Sequence, residues 1–300
     1  MDIAEERVSR WTSGSLNLSN LGLDTLPTIP EEVTELICYH NNIRTLTELP
    51  KRLIRLTVHS NKLRSLPPLP LNLGLFSCSD NELTTLPPLP PGIITLWCQS
   101  NKLKRIPALP AELLYFNCCH NQLKKLPRLP SSLRTMLAHK NKLTALPCLP
   151  TALEELWCQQ NQITELPALP EDLVLLFCGD NKLTALPALP AGLKRLDCSN
   201  NRLTTLPPLP EGLTELICDG NLFPPRKDGE SIADFAERLE HIESSKRMAE
   251  RCRAIKEELM AIAWHTERLL RIIEAHPANQ WNHETQHYDD LEFTTLDEIF

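Results

Sequence analysis

No run of 18 apolar residues occurs in the 300-residue sequence, so no segment reads as a membrane-spanning helix. The opening Met1-Asp2-Ile3-Ala4-Glu5-Glu6-Arg7 is acidic where a signal peptide carries positive charge ahead of an apolar core, so no secretory leader is expected. A basic excess is also missing. Net charge is -7, and its placement says more than its size. Residues 223–300 hold 10 Lys/Arg and 17 Asp/Glu, leaving 21 of each in residues 1–222. A neutral body with an acidic tail offers no footprint for phosphates, so nucleic acid is not expected as a partner. Glycine is scarce, with nine residues against 26 prolines. Proline fixes φ and removes a backbone donor, and at this density it implies a periodic structure with extended segments.

What is present is a repeat. The sequence recurs every 20 residues without insertion, and one unit reads Leu193-Lys-Arg-Leu196-Asp-Cys198-Ser-Asn-Asn201-Arg-Leu203-Thr-Thr-Leu206-Pro207-Pro-Leu209-Pro210. The pattern L-x-x-L-x-C-x-x-N-x-L-x-x-L-P-x-L-P is that of a leucine-rich repeat. Ten units are led by Val33, Leu53, Leu73, Ile93, Leu113, Leu133, Leu153, Leu173, Leu193 and Leu213, after an atypical first one, Leu16-Asn-Leu18-Ser-Asn-Leu21-Gly-Leu23. Alternation around Leu196 and Cys198 predicts a short strand with those two side chains inward, and stacked strands make a parallel sheet. The asparagine column, Asn41 through Asn221, stands where each strand ends. A buried amide there can serve backbone groups of adjacent turns that are otherwise costly orphans. The Leu-Pro-x-Leu-Pro segment returns along the other face in an extended, polyproline-like path. The expected fold is an α/β repeat: a leucine-rich repeat solenoid with a parallel concave sheet, an extended convex side and a helical C-terminal tail.

Eight cysteines, Cys38, Cys78, Cys98, Cys118, Cys158, Cys178, Cys198 and Cys218, fall in one inward column. Strands about 4.8 Å apart bring neighbouring thiols within reach of disulfide geometry. Val58 and Ala138 share the column, so the position asks for small apolar volume, which free cysteine fills well. Free thiols imply a reducing compartment, and a cytoplasmic setting is expected. Cys119, Cys148 and Cys252 stand apart from the column.

The 20-residue period, the Leu-Pro-x-Leu-Pro returns and the opening Leu16-Asn-Leu18-Ser-Asn-Leu-Gly-Leu23-Asp-Thr-Leu26-Pro27 resemble those of bacterial leucine-rich effector proteins, the YopM and IpaH/SspH group. The resemblance covers about two-thirds of the chain. It implies a curved solenoid, secreted or delivered into a host cell, that binds host proteins and contributes to virulence. A short helix usually precedes the first repeat in that group, and residues 2–11 fit, with Ala4, Val8 and Trp11 at helical spacing. The IpaH/SspH proteins also carry a ubiquitin-ligase domain with a catalytic Cys-x-Asp. Here Cys252 is followed by Arg and Ala, so ligase activity does not carry over.

Four segments are therefore expected: an N-terminal capping helix (1–15), the solenoid (16–222), a helical segment (223–277) and an acidic, flexible tail (278–300). Ser231-Ile-Ala-Asp234 reads as a capping box, followed by an apolar face of Ile232, Phe235, Leu239 and Ile242. A second helix carries Met248, Cys252, Ile255, Leu259 and Ile262, and a third runs over residues 266–275, stopped by Pro277. These helices are expected to cap the solenoid's open end, with pairing of two chains through the heptad-like spacing as the alternative. His283-Glu284-Thr285-Gln286-His287 matches the zinc-protease motif H-E-x-x-H. It follows a proline break, and Asp290 and Phe293 stand at the positions where an extended motif needs His or Gly. It reads as a chance match, so no metal, cofactor or catalytic residue is expected. The last residues, from Asp289 to Phe300, mix acidic and bulky apolar side chains and read equally as a docking segment or a free end.

Function is expected on the strand face that points outward. Its columns gather Ile37, Tyr39, Leu75, Trp97, Tyr115, Leu137, Trp157, Leu175, Phe177 and Ile217. The core columns are filled independently, so these side chains are available to a partner, and aromatic anchors dominate protein interfaces. A protein-interaction scaffold is the leading expectation; a zinc-dependent hydrolase or a self-associating structural protein are the alternatives. His120, His139, Cys119 and Lys140 also fall close together on adjacent strands and read as surface contacts, not as a ligand set.

Overall fold

The computed structural model describes residues 3–275. Eleven three-residue strands form one parallel sheet in strict chain order: β1 (Ser15–Asn17), β2 (Glu35–Ile37), β3 (Arg55–Thr57), β4 (Leu75–Ser77), β5 (Thr95–Trp97), β6 (Tyr115–Asn117), β7 (Thr135–Leu137), β8 (Glu155–Trp157), β9 (Leu175–Phe177), β10 (Arg195–Asp197) and β11 (Glu215–Ile217). Each residue pairs with the one 20 positions on, as Leu96 with Phe116 and Phe116 with Met136. The central residue of every strand is buried, and the cysteine-column residue two positions later is buried with it. The expected face assignment is what the chain adopts: a leucine-rich repeat solenoid with a parallel concave sheet and extended returns.

One side chain per turn holds neighbouring turns in register. Asn61 donates from Nδ2 to the carbonyls of Cys38 (2.9 Å), Val58 (3.1 Å) and His59 (3.2 Å), and its Oδ1 accepts from the Ile43 amide (3.0 Å). The same four contacts recur at Asn81, Asn101 and Asn121. Just before each asparagine the backbone turns left-handed. Ten non-glycine residues from Asn20 to Asn200 lie there, with φ between 50° and 58°. Only Gly220 continues the column with the residue that adopts this conformation freely.

The ends are closed by helices. Helix α1 (Ile3–Arg10) buries Ala4 completely, and Val8 and Trp11 pack on the same core. At the other end the chain departs from expectation. A single helix, α2 (Ile232–Ala275), runs for 44 residues where three helices were predicted. No glycine or proline interrupts that stretch, so nothing in it compels a break. Its start is as expected: Ser231 Oγ accepts from the Asp234 amide at 3.1 Å. The chain divides into two compact units, residues 1–240 and 241–300. Within the first, Phe235 is fully buried 6.2 Å from Phe223, with Ile232 and Leu239 packed on the same core. No described helix is long and apolar enough to cross a membrane. The His283–His287 motif lies outside the described residues.

All eight cysteines of the inward column are free and buried. Burial raises their thiols; Cys38 and Cys158 are pushed up to about 12, from an ordinary value of 9.0. The linkage has a definite sign. A folded thiol held neutral while its unfolded counterpart ionises contributes stability that is complete below about pH 9 and is lost as pH rises toward the folded value. The urea midpoint of the chain is therefore expected to fall steadily between about pH 8 and about pH 10, ahead of most lysine titration. A midpoint that stays flat over that range would contradict this account of the column.

Candidate partner-binding face

Strand register arranges the outward side chains in rows. Ser77, Trp97, Asn117, Leu137, Trp157, Phe177, Asp197 and Ile217 are successive partners across β4 to β11. A second row runs Leu75, Thr95, Tyr115, Thr135, Glu155, Leu175. None of the ten residues singled out from the sequence is buried. Trp97, Tyr115 and Ile217 are the most open, at 43%, 45% and 38% exposure.

The ten do not make one patch. Leu137, Trp157 and Phe177 are contiguous on β7, β8 and β9, with the Trp157 and Phe177 rings 4.3 Å apart. Leu175 flanks them on β9. Trp97 and Tyr115 form a second group on β5 and β6, with Leu75 on β4; in the Trp97 row Asn117 intervenes before Leu137. Ile37 and Tyr39 lie toward the N-terminal end, separated from Trp97 by Thr57 and Ser77. There Tyr39 stacks flat on His59, 4.6 Å between rings, with His40 edge-on to both. Ile217 stands alone beyond Asp197.

Sequence reasoning missed a polar feature of the same face. Gln99 Oε1, His139 Nδ1, Trp157 Nε1 and Gln159 Oε1 are buried atoms without a hydrogen-bond partner. Buried polar atoms are usually paired in native proteins, and these four make no hydrogen bond within the protein. The His139 ring lies 6.4 Å from that of Trp157, which joins this polar feature to the aromatic group. No column statistic could reveal it, because the burial of each nitrogen depends on the neighbouring turn's side chain. Desolvation is the first cause of the lowered pKa of His59, His120 and His139, aided at His139 by His120 and Lys140. All three therefore present neutral imidazoles at neutral pH. The electrostatics of the face are correspondingly mild, and its anchors are rings.

No family profile and no curated protein matches the chain. Solved structures do. YopM from Yersinia enterocolitica is 38% identical over 71% of this chain and 47% of its own, with a TM-score of 0.69. YopM from Yersinia pestis, a leucine-rich effector protein, is 35% identical over 74% of this chain and 65% of its own, also at 0.69. The functional domain of InlJ from Listeria monocytogenes, which includes a cysteine ladder, is 26% identical over 71% of this chain and 55% of its own, at 0.56. The chain thus spans about half the length of the first of these and under two-thirds of the second.

Proposed function

Since this chain belongs to the bacterial-effector-type leucine-rich repeat proteins, the YopM-like repeat subclass, we propose that it is a protein-interaction scaffold whose concave sheet binds a partner protein inside a host cell. The observation that carries the reading is the row Leu137, Trp157, Phe177 with Leu175 beside it, together with the second group of open rings, Trp97 and Tyr115, toward the N-terminal side. Large rings on an outward face bring contact area at low entropic cost, which is what interface hot spots consist of. Likeness to YopM of two Yersinia species supports delivery into a host as the setting, and the free thiols agree with a reducing cytoplasm there.

The test is capture of host proteins by the full chain, compared with a Trp97→Ala/Trp157→Ala double variant. Truncating a hot-spot ring costs about 2 kcal/mol or more, so retention of the specific partner should fall about 30-fold for one ring and up to about 1,000-fold for both if the two act independently. Circular dichroism of both proteins checks the fold. Partners retained unchanged by a folded double variant would rule out this face.

A further inference from the structure

We propose that Cys119, His120 and His139 form a transition-metal site, with zinc(II) the ion that their chemistry fits best. The Cys119 sulfur and one ring nitrogen from each histidine all lie within 4.8 Å of one another. Among the described residues no other three metal-ligating side chains converge in this way. The repeat explains the convergence. Cys119 and His139 occupy the same column in successive turns, two residues past the ends of β6 and β7, where other turns carry residues such as Ser79, Gln99 and Gln159. His120 follows in the left-handed position (φ 52°), and its ring meets that of His139 edge-on at 5.6 Å.

The backbone beneath the three ligands is fixed. The His120 amide donates to the His139 carbonyl at 3.0 Å, the Cys119 amide donates to Asn117 Oδ1 at 3.1 Å, and the Cys119 carbonyl accepts from Asn121 Nδ2 at 3.1 Å. Two of the ligand residues are thus bonded to each other, and the third is pinned from both sides, the preorganisation a metal site needs. His139 Nδ1 makes no hydrogen bond within the protein, so no protein contact of that nitrogen would have to break for the ring to bind an ion.

One thiolate with two neutral imidazoles selects zinc or copper(I) over calcium or magnesium. A tetrahedral zinc, with bonds of about 2.3 Å to sulfur and about 2.0–2.1 Å to nitrogen, needs its donors about 3.3–3.6 Å apart. The donors lie within 4.8 Å of one another, so binding would require them to approach by up to about 1.5 Å, a shift within reach of side-chain rotation at the exposed His120. Binding exchanges the Cys119 S–H bond for an S–Zn bond and releases the proton to solvent. Both imidazoles bind through nitrogen lone pairs, and no redox change occurs. A fourth donor would be supplied by water or by a bound protein. Asp80 adds a negative charge toward Cys119 and His120, and Lys140 opposes it.

The full chain is titrated with cobalt(II), then with zinc(II), in a Cys148→Ser/Cys252→Ser background that removes the two exposed thiols. One equivalent of cobalt is expected to give a thiolate-to-metal charge-transfer band and tetrahedral d–d bands, both abolished by zinc. Cys119→Ser should remove the charge-transfer band and weaken zinc binding more than about 100-fold, beyond what loss of an outer-shell partner does. His120→Ala, at an exposed position that does not threaten the fold, should weaken it comparably. Absence of a saturable cobalt spectrum in the folded chain would overturn the proposal. So would a spectrum that survives both changes, or one lost instead on His283→Ala/His287→Ala.

Discussion

Replacing Asn101 with alanine is expected to cost the chain about 2–4 kcal/mol, although four hydrogen bonds disappear. The smaller figure follows from what is left behind. Asn101 accepts from the Leu83 amide at 2.9 Å, and no other acceptor for that buried N–H is seen among the described residues. The three carbonyls that Asn101 serves fare better. That of Cys78 also accepts from Asn81 at 3.1 Å, that of Cys98 also accepts from Asn121 at 3.0 Å, and that of Gln99 also accepts from the Asp80 amide at 3.0 Å. Each keeps one partner. The penalty is therefore one orphaned donor, at roughly 1–3 kcal/mol, plus the volume of the lost amide. Asn101→Asp should be at least as costly, since it keeps the acceptor but turns a carboxylate oxygen toward three carbonyls. Asn221 caps the last turn and is half-buried, so Asn221→Ala should lose only about 1 kcal/mol. Urea unfolding of the three variants tests the ordering; equal losses at Asn101 and Asn221 would mean that the asparagine column does not work by satisfying buried amides.

That column was legible in the sequence because its physics repeats. Leu196 inward, Cys198 inward and Asn201 at the turn are readable from one unit, and ten units say the same thing. The capping box at Ser231 and the apolar face of Ile232, Phe235 and Leu239 were readable for the same reason: local chemistry set them. Other features depend on more than one turn. The left-handed position before each asparagine is occupied by His40, Lys140 and Gln160 alike, so residue type announces it only at Gly220. Such backbone is held by its surroundings, with the asparagine amide fixing the carbonyls on either side. The unbroken α2 was misread as three helices because apolar spacing was followed more closely than the absence of breakers.

The candidate face divides in the same way. That its ten residues point outward followed from a period of two, but their grouping did not, because Asn117 and Asp197 part the rows. The orphaned nitrogens of His139 and Trp157 were invisible for a further reason. Whether a ring nitrogen is buried is decided by the side chains of the next turn, which a column-by-column reading treats as independent. The cluster of Cys119, His120 and His139 was noticed in the sequence and set aside as surface contacts, since proximity in a column does not reveal the distance between donor atoms.

Phe235→Ala is expected to cost about 3–5 kcal/mol, the range for deleting a fully buried aromatic ring, and to do so in one place only. In a solenoid each turn is stabilised by its neighbours, so damage at an end propagates inward by nearest-neighbour coupling. Phe235 packs beside Phe223 where the last turn would otherwise expose its apolar edge. Arg238 lies over the Phe235 ring at 5.2 Å while pairing with Glu230 at 2.7 Å and donating to the Pro225 carbonyl at 2.9 Å. Removing the ring thus strips a packing contact and the support of a polar clasp together. Hydrogen exchange should report the result as lost protection of the β10 and β11 amides, with β1 to β5 unchanged. Phe235→Leu, which keeps most of the buried area, should lose roughly half as much or less. Loss of protection spread evenly over all eleven strands would mean that the solenoid unfolds as one cooperative unit. No loss at β11 would mean that the start of α2 is not what closes the C-terminal end.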